Sequence, residues 1–155
     1  MTISANDPLV HEGVVKAPPP LVWAGFTTKD GQESWMVAHS EIELKVGGRM
    51  RTHYDPSGTL GDPGTIENQI ICFDPGRMVS FRVTSPPEKF PFSNAIKDLW
   101  TVIYFEPHGS DSTFVRVVTL GFNETEESRE MREFFDRGNA LTLRSLQNHF
   151  EKANS

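Results

Sequence analysis

EIELKVGGRMR, residues 41–51, is the stretch of sequence that decides the fold. Before the two glycines, apolar residues alternate with charged ones, which is typical of a strand with one buried face. Gly47 and Gly48 then predict a tight turn, and Arg49–Tyr54 predicts a returning strand. The stretch is therefore predicted to form an antiparallel hairpin from residues 41–46 and 49–54.

Similar strand patterns lie on both sides of this hairpin. Upstream, Leu9–Lys16 predicts a strand, and three prolines end it before two short helices near residues 21–26 and 32–37. Downstream, further strands are predicted at residues 65–73, 78–83, 99–105 and 113–120. Short turns between neighbouring strands predict an antiparallel meander.

The last segment, residues 124–151, predicts a long helix with a wide apolar face. That face carries Met131, Phe134, Phe135, Leu141, Leu143, Leu146 and Phe150. A sheet must bury one face, and this helix is the large apolar partner that the sequence offers. The sequence therefore predicts an α+β domain over residues 9–151, after an N-terminal tail of residues 1–8. The elements follow one another along the chain in the order β-α-α-β-β-β-β-β-β-α. The strands form a curved antiparallel sheet that wraps around the C-terminal helix.

Composition and charge exclude several classes of function. The 155 residues include 21 acidic and 15 basic ones, and the net charge of −6 argues against a nucleic-acid partner. Cys72 is the single cysteine, so no disulfide framework or thiolate zinc site forms within one chain, and we expect Cys72 in the core. Neither a signal peptide nor a stretch of about 20 apolar residues is present, so a cytoplasmic protein with no membrane partner is expected.

The chain carries no recognisable catalytic or metal-binding motif. Its five histidines are widely spaced, with no H-x-H or H-E-x-x-H pattern, so no metal site is predicted. No G-x-S-x-G nucleophile elbow and no phosphate-binding glycine loop occur, and no cofactor is expected.

Polar residues on apolar faces are the more informative candidates. At about 100° per residue, Asn139 and Thr142 fall between the apolar side chains of the last helix, where they would line a pocket. Glu67 is a weak catalytic candidate, because its pKa would rise if the odd-numbered face of its strand points inward. The alternation leaves open which face of strand 65–73 does so.

The string LKVGGRMR at residues 44–51 resembles the L-x-V-G-G-R turn of the activator of heat-shock-protein ATPase family. The segment from Ala17 to Trp23 resembles the opening A-P-x-x-V-W of that family, and Trp35 matches its tryptophan after the second helix. Residues 64–83 and 101–121 resemble its central and last hairpins. One departure is the run Gly138–Leu141, which lacks the tryptophan of the family's G-W-x-x-x-L pattern.

This resemblance places the chain in the START-like SRPBCC superfamily, which has the helix-grip fold of birch-pollen allergen. It implies that the domain binds a small hydrophobic or aromatic molecule between the sheet and the last helix. Two alternatives follow from relatives: a cyclase, dehydratase or hydrolase acting on a polyketide-like or aromatic substrate, and a domain that docks on a chaperone ATPase.

Three structural expectations follow. A pocket between the sheet and the last helix is predicted to be lined by Trp35, Met50, Tyr54, Ile103, Val117, Phe135, Asn139 and Thr142. The proline-rich loop 85–94 is predicted to place Phe90 or Phe92 over the pocket mouth as a lid. The outer sheet face is predicted to form a homodimer through Trp100, Val102, Tyr104, Phe114, Val118 and Leu120.

Overall fold

A computed structural model describes residues 4–153, so that the first three residues of the predicted tail lie outside the described part of the chain. Seven strands and three α-helices follow one another in the predicted order. They are β1 (Leu9–Val15), α1 (Pro19–Thr27), α2 (Lys29–Trp35), β2 (His39–Ile42), β3 (Arg49–His53), β4 (Ile66–Asp74), β5 (Met78–Ser85), β6 (Trp100–His108), β7 (Ser112–Leu120) and α3 (Glu126–Ala153). A short 3₁₀ helix, Ala95–Asp98, precedes β6.

All seven strands form one antiparallel sheet in the order β1-β7-β6-β5-β4-β3-β2. The first strand, β1, pairs with the last, β7, so both halves of the chain contribute to one sheet. The long helix α3 packs on one face of this sheet, which is called the inner face. The predicted α+β helix-grip fold is therefore confirmed. Within residues 4–153, no helix is both long and apolar enough to cross a membrane.

The β2–β3 hairpin forms at the predicted glycines, but its first strand is shorter than predicted. β2 ends at Ile42, and Val46 is 71% exposed, because the chain from Glu43 onward leaves the ladder to make the turn. Gly47 has a φ of +80°, and a Cβ on Gly48 would lie 2.0 Å from the Glu43 carbonyl oxygen. Both positions therefore require glycine.

Helix α3 is capped by a side chain just before its first residue, and it is hydrogen-bonded to the sheet. Thr125 accepts the backbone N–H of Ser128 at 3.2 Å, and the acidic pair Glu126 and Glu127 occupies the first turn, where the helix dipole favours negative charge. Further along, the amide nitrogen of Gln147 donates to the carbonyl oxygen of Val14 at 3.0 Å. These contacts fix the helix across the concave face of the sheet.

Two apolar clusters make up the core. The larger lies between the sheet, α1 and the second half of α3, and includes Val22, Ile70, Ile103, Phe105, Val115 and Leu146. The smaller surrounds the start of α3, and includes Leu9, Phe92, Ile96, Leu99, Phe122 and Met131.

A β-bulge in β4 decides which of its side chains point inward. Ile70 pairs with Phe81 and Cys72 pairs with Ser80, so Ile71 is an extra residue on this strand. Asn68 and Ile70 are buried before the bulge, whereas Phe73 packs on the core after it. The prediction that Cys72 is a core residue is therefore wrong: the bulge turns its side chain outward, and it is exposed.

Candidate functional site

A cavity of about 220 Å³ lies between the inner sheet face and helix α3. Members of both core clusters border it, among them Ile103 and Leu143 from the larger cluster and Ile96 and Leu99 from the smaller. The remaining lining residues are Phe26, Gln32, Met36, Met50, Thr52, Tyr54, Ile66, Asn68, Phe81, Arg82, Val83, Trp100, Thr101, Val117, Phe135, Asn139 and Thr142. The cavity is therefore an internal space where the two clusters meet, with a mostly apolar wall.

Among the residues predicted to line a pocket, Trp35 is the one that does not border this cavity. Its indole nitrogen donates to the carbonyl oxygen of Gly25 at 2.8 Å, and its ring packs edge-on against Phe26 at 5.2 Å. Phe26 lines the cavity. Trp35 thus supports the wall from behind rather than forming it.

The two predicted polar residues of α3 differ in how free their polar atoms are. The Asn139 amide nitrogen donates to the Thr119 hydroxyl at 3.1 Å, which leaves its carbonyl oxygen for another partner. The Thr142 hydroxyl donates to the carbonyl oxygen of Gly138 at 2.9 Å, one turn earlier in the same helix. Asn139 is therefore the stronger candidate for a polar contact to a ligand.

Two further polar residues of the wall, Thr52 and Asn68, were not among the predicted site residues. They lie on the adjacent strands β3 and β4 and are 5% and 7% exposed. Asn68 was detectable as the polar residue on the strand face that it shares with Ile66 and Ile70. The alternation alone could not place that face inside, because Ile71 and Phe73 made the opposite face equally plausible.

Gln32 is a buried polar residue of the wall whose bonds are all internal. Its amide nitrogen donates to the Phe26 carbonyl oxygen at 2.7 Å and contacts the Met50 sulfur at 3.2 Å. Its side-chain oxygen accepts the hydroxyl of Ser40 at 2.5 Å. These bonds fasten α2 to the sheet, which indicates a structural role.

Glu67, the weak catalytic candidate, lies outside the cavity. Because Asn68 takes the inward position, Glu67 faces the opposite side of the sheet, beside its register partner Arg51 at a shallow surface depression. The inward carboxylate that a catalytic role would require is therefore not formed by this residue.

Tyr54 and Arg82 are the ionisable residues of the cavity wall. Tyr54 stands at the mouth with 60% of its surface exposed, yet the protein atoms around its phenol desolvate it and raise its pKa. It is therefore neutral at pH 7. Arg82 is exposed and extends toward the Gln69 side-chain oxygen at 3.4 Å, on the outer side of the sheet.

The predicted lid residues pack against α3 rather than bordering the cavity. The Phe90 and Phe92 rings lie 5.6 Å apart, and both contact the Phe134 ring, at 5.9 and 5.7 Å. Phe134 in turn contacts Phe135, which lines the cavity. The loop is thus one layer removed from the cavity wall.

A buried histidine anchors the loop that leads from β3 to β4. The ring nitrogen Nδ1 of His53 accepts the backbone N–H of Asp55 at 3.1 Å, so its Nε2 carries the proton donated to Asp62 at 2.7 Å. Hydrogen bonds from the Thr59 and Gly64 backbones and from His53 lower the pKa of the Asp62 carboxyl. With every polar atom of the ring engaged, this pair holds the loop beside the cavity mouth.

The outer sheet face, predicted as a dimer interface, is only partly open. Trp100 and Tyr104 are each 39% exposed, whereas Val102 and Val118 are buried at 5% and 8%. Phe114 and Leu120 are half-buried. The two valines pair with each other in the middle of the face.

Within residues 4–153, no group of three or more histidine, cysteine, aspartate or glutamate side chains is arranged to hold a metal ion.

Solved structures of low sequence identity share this fold. A protein from Mesorhizobium loti is 16% identical over 94% of this chain and 98% of its own, with a TM-score of 0.73. A protein described as the Aha1 dimer from Colwellia psychrerythraea is 18% identical over 94% and 96%, with a TM-score of 0.71. A norcoclaurine synthase point mutant from Thalictrum flavum, solved with a transition-state analogue, is 14% identical over 96% of both chains, with a TM-score of 0.65.

No curated protein matches the chain in sequence. The family model described as "Activator of Hsp90 ATPase homolog 1-like protein" matches residues 16–151, from the end of β1 to the last turns of α3. Both the predicted resemblance and the helix-grip architecture agree with that match, and the chain belongs to the Activator of Hsp90 ATPase homolog 1-like family.

Proposed function

We propose that this protein binds a small, uncharged, mostly apolar molecule in the cavity between the sheet and α3. The observation that supports this proposal is the cavity itself. Ligand sites in proteins are concave and mostly apolar, with a few polar groups that orient the ligand, and this wall has that composition. Protein cores are otherwise close-packed, so a space of this size between two core clusters supports the binding of a ligand there.

The volume and the charges restrict the ligand. The cavity of about 220 Å³ is below the roughly 300–1,000 Å³ of sites for drug-sized molecules, so the ligand is small. A buried ion would need a partner of opposite charge, and Arg82, the one lining residue charged at pH 7, extends away toward Gln69. An uncharged molecule of one or two fused rings fits these limits.

The ionisable groups of the wall favour binding over acid–base catalysis. A general acid or base works best when its pKa lies near the operating pH. Tyr54 has a pKa raised further above that range, and Glu67 lies outside the cavity. The binding role therefore has more support than the cyclase, dehydratase or hydrolase alternative.

Fluorescence titration with 1-aminonaphthalene, a neutral two-ring probe, tests the proposal. Val117→Phe should fill part of the cavity and weaken binding at least tenfold, whereas Val46→Phe, at the exposed β2–β3 turn, should leave binding unchanged. Thr142→Leu is a milder filler for use if Val117→Phe lowers the melting temperature. Equal binding by all variants, or no binding by the wild type, would overturn the proposal.

Self-association through the outer sheet face is a second candidate role. Val10 on β1 and Trp100 and Tyr104 on β6 are exposed apolar side chains on the two strands that flank β7, and the Colwellia psychrerythraea relative is described as a dimer. Exposed aromatic residues are enriched at the centres of protein interfaces. A symmetric homodimer would cover these side chains with their own copies.

A further inference from the structure

Thr52 and Asn68 form a polar pair on the inner sheet face. Met50 pairs with Asn68 and Thr52 pairs with Ile66, so Thr52 and Asn68 are diagonal neighbours on adjacent strands. Such neighbours are about 7–8 Å apart, with their side chains on the same face. An atom placed between the two side chains would be within reach of both.

Both side chains are more than nine-tenths buried, and both border the cavity. Neither makes a side-chain hydrogen bond to any other residue between 4 and 153. Between residues 4 and 153, their polar atoms are not among the fully buried side-chain atoms that lack a partner, so they remain accessible from the cavity. The pair therefore points to a partner that enters the cavity.

The other uncharged polar groups deep in the wall do not share this property. Gln32 uses its amide within the protein, and Thr142 donates its hydroxyl to its own helix. Asn139 uses its amide nitrogen in the bond to Thr119, and its amide oxygen has no partner between residues 4 and 153. Thr101 also lines the cavity without a side-chain hydrogen bond, but it is only half-buried, so the most deeply buried unmatched polar groups lie at Thr52 and Asn68.

Each side chain of the pair has a donor as well as an acceptor, so the two can present two donors to one acceptor. The threonine hydroxyl and the asparagine amide nitrogen are both donors, and a carbonyl oxygen has two lone pairs that accept from both at once. Neither side chain carries a charge, so the pair suits a neutral acceptor rather than a carboxylate.

We propose that Thr52 and Asn68 are a subsite that binds the carbonyl oxygen of a neutral, flat, otherwise apolar ligand. This inference rests on the proposed binding function and specifies the class of ligand. The remaining lining residues would then enclose the apolar body of the molecule, while the two donors fix its orientation.

Two probes that differ at one group test the inference. 2-Acetylnaphthalene carries a carbonyl where 2-isopropenylnaphthalene carries a C=CH₂ group, and each can be titrated as a competitor of 1-aminonaphthalene. The measured quantity is the ratio of the two dissociation constants. Because solvation of the free probes is the same for every variant, a change in this ratio between variants reports the contact to the carbonyl.

Asn68→Leu and Thr52→Val should each reduce the preference for the ketone about five- to tenfold, the effect of one lost hydrogen bond. Affinity for 2-isopropenylnaphthalene should stay near the wild-type value. Gln69→Leu is the matched control, because Gln69 neighbours Asn68 on the same strand but faces outward. Melting temperatures without probe should change little in both cavity variants, since neither side chain makes a hydrogen bond to the rest of the described chain.

The outcomes separate this inference from the proposed function. If both probes bind and neither variant changes the ratio, the carbonyl subsite is wrong and the binding function stands. If 1-aminonaphthalene binds the wild type but neither probe displaces it, the carbonyl subsite is wrong and the binding function stands; if 1-aminonaphthalene itself does not bind, both fail. A marked drop in melting temperature for both cavity variants would assign the pair a structural role and overturn the inference.

Discussion

The side-chain nitrogen of Asn139 lies 3.1 Å from the hydroxyl oxygen of Thr119 and donates to it, which joins α3 to β7 beside the cavity. Thr119 is 1% exposed, so this bond is made away from water. The amide nitrogen of Asn139 therefore bonds the helix to the sheet, and the amide oxygen remains available to a ligand in the cavity.

Removing the Asn139 amide should destabilise the fold measurably. Asn139→Leu leaves the buried Thr119 hydroxyl without its partner, and we expect the free energy of unfolding to fall by about 1–2 kcal/mol. Thr142→Val is the control, because its hydroxyl donates to a carbonyl within its own helix, and a change below about 0.5 kcal/mol is expected. Urea denaturation measures both, and equal losses would contradict this account.

The aromatic contacts of the proline-rich loop should control how fast a ligand leaves. Replacing Phe90 and Phe92 together with serine removes the rings that pack on Phe134, and we expect several-fold faster release of 1-aminonaphthalene in stopped-flow displacement. The double leucine variant keeps apolar volume and should release the probe at close to the wild-type rate. Near-UV circular dichroism checks the fold, because truncating a buried ring costs about 3–5 kcal/mol. An unchanged release rate in a folded serine variant would rule out the lid.

Acid should weaken the β3–β4 loop through Asp62. Its folded pKa lies below the ordinary value of 3.8, chiefly because the Thr59 N–H bonds to it, with added contributions from Gly64 and His53. A carboxyl whose pKa is depressed by folding stabilises the fold at pH values above its unfolded-state pKa. That stability is lost as the pH falls through the folded-state pKa.

Asp62→Asn should therefore be less stable than the wild type at pH 7, with the difference shrinking toward pH 3 and below. Urea midpoints measured at intervals from pH 7 down to about pH 2 give the comparison. Curves that run parallel over the whole range would show that Asp62 contributes no pH-dependent stability.

The homodimer is best tested at exposed positions. Val118 and Val102 are buried within one chain, so a charge there would disrupt the sheet whether or not a partner binds. Val10→Lys combined with Tyr104→Lys places two cations beside Arg116, whose neighbour Glu12 lies 3.6 Å away. Sedimentation equilibrium should show a wild-type dimer and a monomeric variant, with Val46→Lys still dimeric. A wild-type chain that stays monomeric at high micromolar concentration would refute the interface.

Much of the architecture could be predicted because the patterns that specify it are local. Alternation around Gly47 and Gly48 predicted the first hairpin, and the apolar period of residues 124–151 predicted the helix that the sheet surrounds. Since such a sheet has one inner face and one large apolar partner, the position of the cavity between them followed. Except for Trp35, every residue predicted to line a pocket borders that cavity.

What local patterns could not specify is the absolute direction of a side chain. In β4, alternation relates Glu67 to Gln69 and Asn68 to Ile70, but either pair could have faced inward. The pairing with β5 decides this, because an extra residue at Ile71 reverses the phase of the strand. Asn68 faces the cavity and Glu67 faces away before the extra residue, and after it Phe73 faces inward while Cys72 is turned outward.

The sequence by itself determined which segments become strands and helices and which of them must pack together, because periodicity and turn chemistry act over a few residues. Only the tertiary structure decided that Val102 and Val118 are covered on the outer face and that Phe90 and Phe92 pack on α3. It also decided that Thr52 and Asn68 come together. These outcomes depend on strand register and on the volumes of neighbours distant in sequence, which become defined when the sheet closes around the helix.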